Sequence, residues 1–138
     1  MRRLTLLIIC LVALFTAVGV AGATAAGSKG TIKKSWISTT SGGNAAAKFK
    51  VAAVKRLYAN FVWKKPAVAG QVLRIEWHDP SGTLRAVWSD KTIKGDKENT
   101  RLYAWIGPGV VKGKLGGWTA VLTVGSTRIG QAKFRIVA

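Results

Sequence analysis

Few residues of this chain could perform catalysis. After the first 25 residues there is a single histidine, His78, with no cysteine and five carboxylates. His78, Asp79 and Ser81 lie close in sequence, but a Ser-His-Asp triad needs three side chains that converge beside an oxyanion site. We expect these three to lie at the end of a strand and in its turn. The sequence therefore predicts a protein that is not an enzyme and has no small-molecule substrate.

A metal site has equally few candidates. Glu76 and His78 point to one side of the same predicted strand, and Asp90 or Asp96 could join them from the following loop. Zinc sites use three or four protein ligands, so two such residues are a weak indication. A solvated strand face, with ordinary cross-strand neighbours, is the interpretation we favour. No glycine motif typical of phosphate or dinucleotide binding is present, and we expect no metal or cofactor.

A candidate binding surface lies on one later segment. There, aliphatic and small residues alternate with basic and aromatic ones, which are Arg101, Tyr103 and Trp105. If the aliphatic residues face inward, these three form an exposed stripe, which Lys133 and Arg135 of the last segment would widen. Such a stripe can bind anionic or sugar-containing polymers by charge and stacking. The alternatives are that the bulky residues face the interior, or that neighbouring segments cover both faces, because aromatic residues favour strands for packing reasons alone.

The charge of the chain suggests what such a surface would bind. Lys and Arg number 22 against five acidic residues, which gives a net charge of +17. Only Arg2 and Arg3 lie in the first 25 residues, so the remainder carries 20 cations against five acids, or +15. This excess attracts polyanions, although it also fits a basic surface without any partner. We expect an anionic envelope polymer, an acidic lipid surface or nucleic acid as the partner.

The first 25 residues have the pattern of a secretory signal peptide. Arg2-Arg3 precede an apolar run from Leu4 to Val20, and Ala21-Gly22-Ala23 and Ala23-Thr24-Ala25 are small-residue cleavage sites. The competing interpretation is an uncleaved membrane anchor. The one cysteine, Cys10, would leave with the signal, so no internal disulfide is expected. These features predict a secreted or periplasmic protein.

The remainder is long enough for one domain. Residues 26–47 are rich in Ala, Gly, Ser, Thr and Lys, which predicts a flexible leading segment, although an edge strand at Thr31–Ser38 stays open. Residues 48–138 alternate with period two between turn signals, which predicts about seven antiparallel strands. Phe49, Val51 and Ala53 share one phase and form the first strand in this prediction. Most tryptophans are in phase with aliphatic neighbours, and we expect these in the core: Trp63, Trp77, Trp88 and Trp118.

Two stretches resemble a known kind of domain. Residues 116–125 (GGWTAVLTVG), followed by Gly130 and Phe134, are similar to the last hairpin of bacterial exported immunoglobulin-like domains. Trp77-His78-Asp79-Pro80-Ser81-Gly82 is similar to their central hairpin. The resemblance covers residues 59–138 and implies an immunoglobulin-like antiparallel β-sandwich, preceded here by the helix of the signal peptide. The chain is expected to lack the inter-sheet disulfide of antibody-type domains.

The resemblance speaks for the fold and does not choose a function, since such domains serve in adhesion, envelope assembly and ligand binding. The charge favours a non-enzymatic binding domain at the cell envelope that contacts an anionic polymer or surface. The alternative is a structural or assembly domain that binds a protein partner through a sheet edge or an apolar patch.

Overall fold

The computed structural model describes residues 29–91 and 97–138, and the predicted signal peptide lies outside these ranges. The described elements are β1 (Thr31–Ser38), β2 (Lys48–Lys50), a 3₁₀ turn (Val51–Ala53), β3 (Leu57–Lys65), β4 (Val72–His78), β5 (Leu84–Lys91), β6 (Arg101–Ile106), α1 (Pro108–Val111), β7 (Gly116–Val124) and β8 (Thr127–Val137). Neither helical element in these ranges reaches the length and hydrophobicity that a membrane crossing requires.

The strands form two sheets packed face to face. One is three-stranded, in the order β1-β3-β6, and the other is five-stranded, in the order β2-β8-β7-β4-β5. All neighbours are antiparallel except β2 and β8, which are parallel. The prediction of a mainly antiparallel all-β sandwich is confirmed, with eight strands in the described residues where about seven were expected.

The core lies between the two sheets, where alternate side chains of each strand point inward. Trp77 and Trp118 of the five-stranded sheet pack against Phe134, and their ring centroids lie 5.9 and 6.1 Å, respectively, from the centroid of that ring. Trp63 of β3 is also fully buried, so the core assignment is confirmed for three of the four tryptophans. Trp88, on the edge strand β5, is only half-buried.

The N-terminal boundary of the sandwich differs from the prediction. The strand at Thr31–Ser38 forms and pairs with β3 through most of its length, so the folded unit begins well before Lys48 and includes part of the segment expected to be flexible. The run from Phe49 to Ala53 is not one strand. Only Lys48–Lys50 pairs, in parallel with β8, and Val51–Ala53 forms a 3₁₀ turn in which no residue is buried.

The two open sides of the sandwich are unlike. On one side β1 approaches β8, and the Ser35 hydroxyl donates a hydrogen bond of 2.6 Å to the Gln131 carbonyl. Gly130 allows this approach, because a Cβ there would lie 3.2 Å from both Ile32 and Phe61. On the other side β5 and β6 are edge strands of different sheets, and a groove of about 620 Å³ lies between them.

Candidate binding face

The alternation in β6 is resolved by the burial of its residues. Ala104 and Ile106 are buried against the core, whereas Tyr103 and Trp105 are 46 and 49 % exposed. The aliphatic side is therefore inward, and the basic and aromatic residues lie on the outer face of the three-stranded sheet. Arg101 points to the same side and is half-buried.

The strand register places further aromatic residues beside these two. Tyr58 of β3 is the partner of Trp105, and its ring lies 6.2 Å from that of Tyr103. Tyr103 in turn lies in one row with Asn60 of β3 and Trp36 of β1. We call the surface formed by Trp36, Tyr58, Tyr103 and Trp105 the aromatic face. It extends across all three strands of the sheet.

A cation lies over three of the four rings of the aromatic face. The Arg56 guanidinium lies 4.2 Å from the ring centroid of Trp105, the Arg101 guanidinium 4.6 Å from that of Tyr103, and the Lys34 Nζ 4.8 Å from that of Trp36. Such stacking attracts the cation to the π-electrons of the ring and restrains a flexible side chain. Arg56 and Lys34 are exposed, so their N–H donors can also reach a ligand.

Arg101 has a different role from Arg56, because two of its nitrogens are already bonded. One terminal nitrogen donates to Asn60 Oδ1 and the other to Ser41 Oγ, both at 2.9 Å. Asn60 is fully buried and also accepts a bond of 3.1 Å from the Gly42 N–H. The Trp36 indole donates to the Gly43 carbonyl at 2.8 Å. Together these bonds hold the loop after β1 against the aromatic face.

The strands that carry the aromatic face have only positively charged residues among their charged side chains. β1, β3 and β6 contain no acidic residue, and they carry Lys33, Lys34, Lys64, Lys65 and Arg101. Arg56 lies one residue before β3 and adds to this charge. The fields of these cations therefore sum over the surface, which favours anionic ligands.

The structure does not bring Lys133 and Arg135 to this surface. Both are exposed on β8, which belongs to the five-stranded sheet, so they lie on the opposite outer face of the sandwich. The expectation that they widen the stripe of Arg101, Tyr103 and Trp105 is wrong. Local alternation shows which side of a strand a residue takes, but it does not show which sheet the strand joins.

The residues that do widen the stripe are Trp36, Tyr58, Lys34 and Arg56. Tyr58 could have been found, because it alternates with the inward residues Leu57 and Ala59. Local alternation does not identify Trp36, because Ile32 lies four residues earlier in the same phase and packs against the core. Irregular pairing between Ile32 and Lys34 shifts that phase, so Trp36 faces outward while Ile37 faces the core. 

His78, Asp79 and Ser81 do not form a catalytic arrangement. The Ser81 hydroxyl donates to Asp79 Oδ1 at 2.6 Å, and the Arg85 Nε donates to Asp79 Oδ2 at 2.6 Å. Hydrogen bonds from the Ser81 hydroxyl, from Arg85 and from the backbone N–H groups of Thr83 and Ser81 lower the pKa of Asp79, against the opposing effect of burial. The histidine Nδ1 lies 3.4 Å from the Gly82 carbonyl instead. The carboxylate thus organises the β4–β5 turn.

The candidate metal ligands are also separated from any cluster. Within residues 29–91 and 97–138, no three His, Cys, Asp or Glu side chains could hold one ion. Glu76 faces Arg74, with 3.9 Å between the carboxylate and the guanidinium. Asp96, the other loop candidate, lies outside the described residues.

Comparison with known proteins supports the fold. No family model and no curated protein matches the sequence. An immunoglobulin-like protein from Pseudomonas aeruginosa has a similar structure, with a TM-score of 0.54 and 9 % identity over 81 % of this chain and 99 % of that one. A CARDB domain from Pyrococcus furiosus, solved in complex with di-metal ions, matches less well, with a TM-score of 0.43 and 16 % identity over 79 % of this chain and 90 % of that one. The predicted immunoglobulin-like sandwich is confirmed as a fold.

Proposed function

Starting from an immunoglobulin-like sandwich, we propose that this chain is an exported, non-enzymatic binding domain at the cell envelope. Its aromatic face contacts an anionic polymer or surface. The observation that carries the proposal is the exposure of Tyr103 and Trp105, at 46 and 49 %, in a sheet whose strands contain only basic charge. Export rests on the signal-peptide pattern of residues 1–25.

The exposed rings are unusual in a domain that buries Trp63, Trp77 and Trp118 completely. Two large aromatic side chains side by side on a strand expose apolar area to water, which is unfavourable unless something covers them. Polymers with sugar or base rings cover such area by stacking, and their charged groups pair with nearby cations. The surface therefore suits a ligand that is anionic and partly apolar.

The cations that lie over the rings would bind the anionic groups of the ligand. A guanidinium that lies flat on an indole keeps its edge N–H groups free, and a carboxylate or phosphate can accept two of them at once. The Arg56 guanidinium lies 4.2 Å from the ring centroid of Trp105 and is exposed, so its N–H groups can reach a ligand. Arg101 positions Tyr103 and the neighbouring loop, and it contributes charge.

Replacement of Tyr103 and Trp105 by Ala tests the proposal. We expect about a tenfold or greater loss of affinity for a short, fluorescently labelled oligothymidylate, because stacking on an aromatic ring contributes about 1–3 kcal/mol per base. The circular dichroism spectrum should be unchanged. The matched control is Val68→Ala with Val72→Ala, which removes two apolar side chains of similar exposure, 49 and 42 %, outside the groove between β5 and β6. Equal loss in both variants would contradict the proposal.

A second candidate function has its own observation. β5 and β6 have no partner on their outer edges among the described residues, and the groove between them has apolar walls that include Val87, Trp88 and Leu102. An extended segment of another protein could add to such an edge. Under this alternative the basic charge serves solubility only.

Salt separates the two candidates. Binding of the labelled oligothymidylate to the aromatic face should weaken steeply as salt rises, with a slope of about −0.7 per phosphate contact on a plot of log affinity against log salt concentration. Lys34→Gln with Arg56→Gln should lower the magnitude of that slope by about 1.4. Native envelope material that stays bound at high salt, and is released from the Leu84→Ala, Val87→Ala variant, would favour the protein partner.

A further inference from the structure

We infer that Lys48, Lys133 and Arg135 form a second anion site, so that one domain bridges two chains of a linear polyanion. The inference rests on the proposed function, because it assigns the ligand as a polymer and adds a second contact to it. The three cations surround a shallow depression, which we call the basic depression. Its floor is formed by Gly117 and Thr119.

The register of the five-stranded sheet brings the three cations together. Lys48 of β2 is the direct partner of Arg135 on β8, and Arg135 is the partner of Gly117 on β7. Lys133 lies two residues before Arg135 on the same side of β8, opposite Thr119. All three cations are exposed, whereas Phe134 between the last two is buried in the core.

Nothing in the surrounding strands neutralises this charge. β2, β7 and β8 contain no acidic residue. Two acids at strand β4 and its turn are engaged elsewhere, since Glu76 faces Arg74 at 3.9 Å and Asp79 accepts a bond from Arg85. Like charges directly opposite each other on neighbouring strands destabilise a sheet. A bound polyanion would remove the repulsion between Lys48 and Arg135.

The shape of the depression leaves room for a ligand. A Cβ added at Gly117 would meet no atom within 4 Å, so the absence of a side chain there opens space beside Arg135. The resulting volume is about 430 Å³, with Ala47 and Lys48 on one wall and Lys133 on the other. An extended phosphate or carboxylate chain can lie across this floor with cations on both sides.

The two sites face away from each other. The aromatic face is the outer surface of the three-stranded sheet, and the basic depression is on the outer surface of the five-stranded sheet. Packed sheets are about 10 Å apart, and the outer side chains add to this distance. One straight polymer segment cannot lie along both surfaces, so full occupancy joins two segments.

The test measures bridging separately from binding. Long inorganic polyphosphate is labelled with a donor dye in one batch and an acceptor dye in another, and energy transfer between batches is recorded as protein is added. Polyphosphate has no rings, so the probe reports charge alone. The key variant is Lys48→Gln, Lys133→Gln, Arg135→Gln. The control, Lys97→Gln, Lys112→Gln, Arg128→Gln, removes the same charge from exposed positions outside both sites.

We expect the key variant to lose at least four fifths of the energy transfer while one polyphosphate chain still binds, and the control to retain most of it. Unchanged transfer in the key variant would overturn the second site. Equal loss in both variants would show that total charge, and not this depression, causes bridging, and it would also overturn the inference. If the wild-type protein binds neither polyphosphate nor oligothymidylate, the proposed function itself fails. Thermal melts of each variant verify the fold.

Discussion

Asn60 connects the fold to the aromatic face, and its replacement by Ala gives a sharp prediction. The side chain is fully buried in the three-stranded sheet. Its Oδ1 accepts bonds from the Arg101 guanidinium at 2.9 Å and from the Gly42 N–H at 3.1 Å. Its Nδ2 donates to Ser38 Oγ at 2.9 Å, with longer contacts of 3.3 Å to two backbone carbonyls. The substitution removes all of these at once.

The magnitude follows from the three shorter bonds. A neutral hydrogen bond contributes about 1 kcal/mol net and a bond to a charged group about 1.5 kcal/mol or more, so we expect Asn60→Ala to lower the free energy of unfolding by about 3 kcal/mol. For a domain of this size that corresponds to a fall in Tm on the order of 15 °C. Loss of the Gly42 anchor should also release the loop after β1.

Urea denaturation and amide hydrogen exchange measure both effects. The Gly42 amide should exchange much faster in Asn60→Ala than in the wild type, whereas core amides should change only in proportion to global stability. The control is Gln131→Ala, which truncates an exposed polar side chain and should change stability by less than about 0.5 kcal/mol. A loss below about 0.5 kcal/mol for Asn60→Ala would refute the reasoning, because the hydrogen bonds would then contribute nothing net.

Three further predictions concern stability. The pKa of Asp79 is lowered in the fold, so the stability that its charged form contributes is complete above the ordinary Asp pKa of about 3.9 and is lost as pH falls below it. Urea midpoints should therefore drop on acidification, and Asp79→Asn should reduce that drop. Gly130→Val should destabilise the sandwich by about 1–3 kcal/mol in urea melts, because a Cβ already meets Phe61 at 3.2 Å; no effect would mean that β1 can move away. Trp77→Ala should cost about 3–5 kcal/mol and Trp105→Ala about 1 kcal/mol or less, and equal losses would place Trp105 in the packing.

The sequence predicts the parts of the fold that local pattern controls. The β4–β5 hairpin follows from strict alternation in Leu73, Ile75 and Trp77 and from the Asp-Pro-Ser-Gly turn, and the structure has both. The sequence leaves three possibilities open for Tyr103 and Trp105: an exposed face, an inward face, or two faces that are both covered. The structure decides among them, because Tyr103 and Trp105 are exposed while Ala104 and Ile106 pack against residues of distant strands that the sequence pattern does not identify.

Other features depend on long-range pairing, which local pattern does not encode. Lys133 and Arg135 have the correct exposed phase, but β8 pairs with β7 and β2, far from β6. The irregular register after Ile32 moves Trp36 to the outer face, and only the pairing of β1 with β3 reveals it. Of the three cation–ring pairs, Lys34–Trp36 and Arg101–Tyr103 each lie two residues apart on one strand. Only Arg56 and Trp105 come from different parts of the chain, and the pairing of β3 with β6 brings them together.

Indole N–H resonances locate the bound polymer most directly. With selectively ¹⁵N-labelled tryptophan, a short oligothymidylate at low salt should shift the Trp105 resonance most and that of Trp36 less, while those of the buried Trp63, Trp77 and Trp118 stay in place. The shifts should reverse as salt is added. Binding that leaves the Trp105 resonance unmoved would contradict the claim that the aromatic face contacts an anionic polymer.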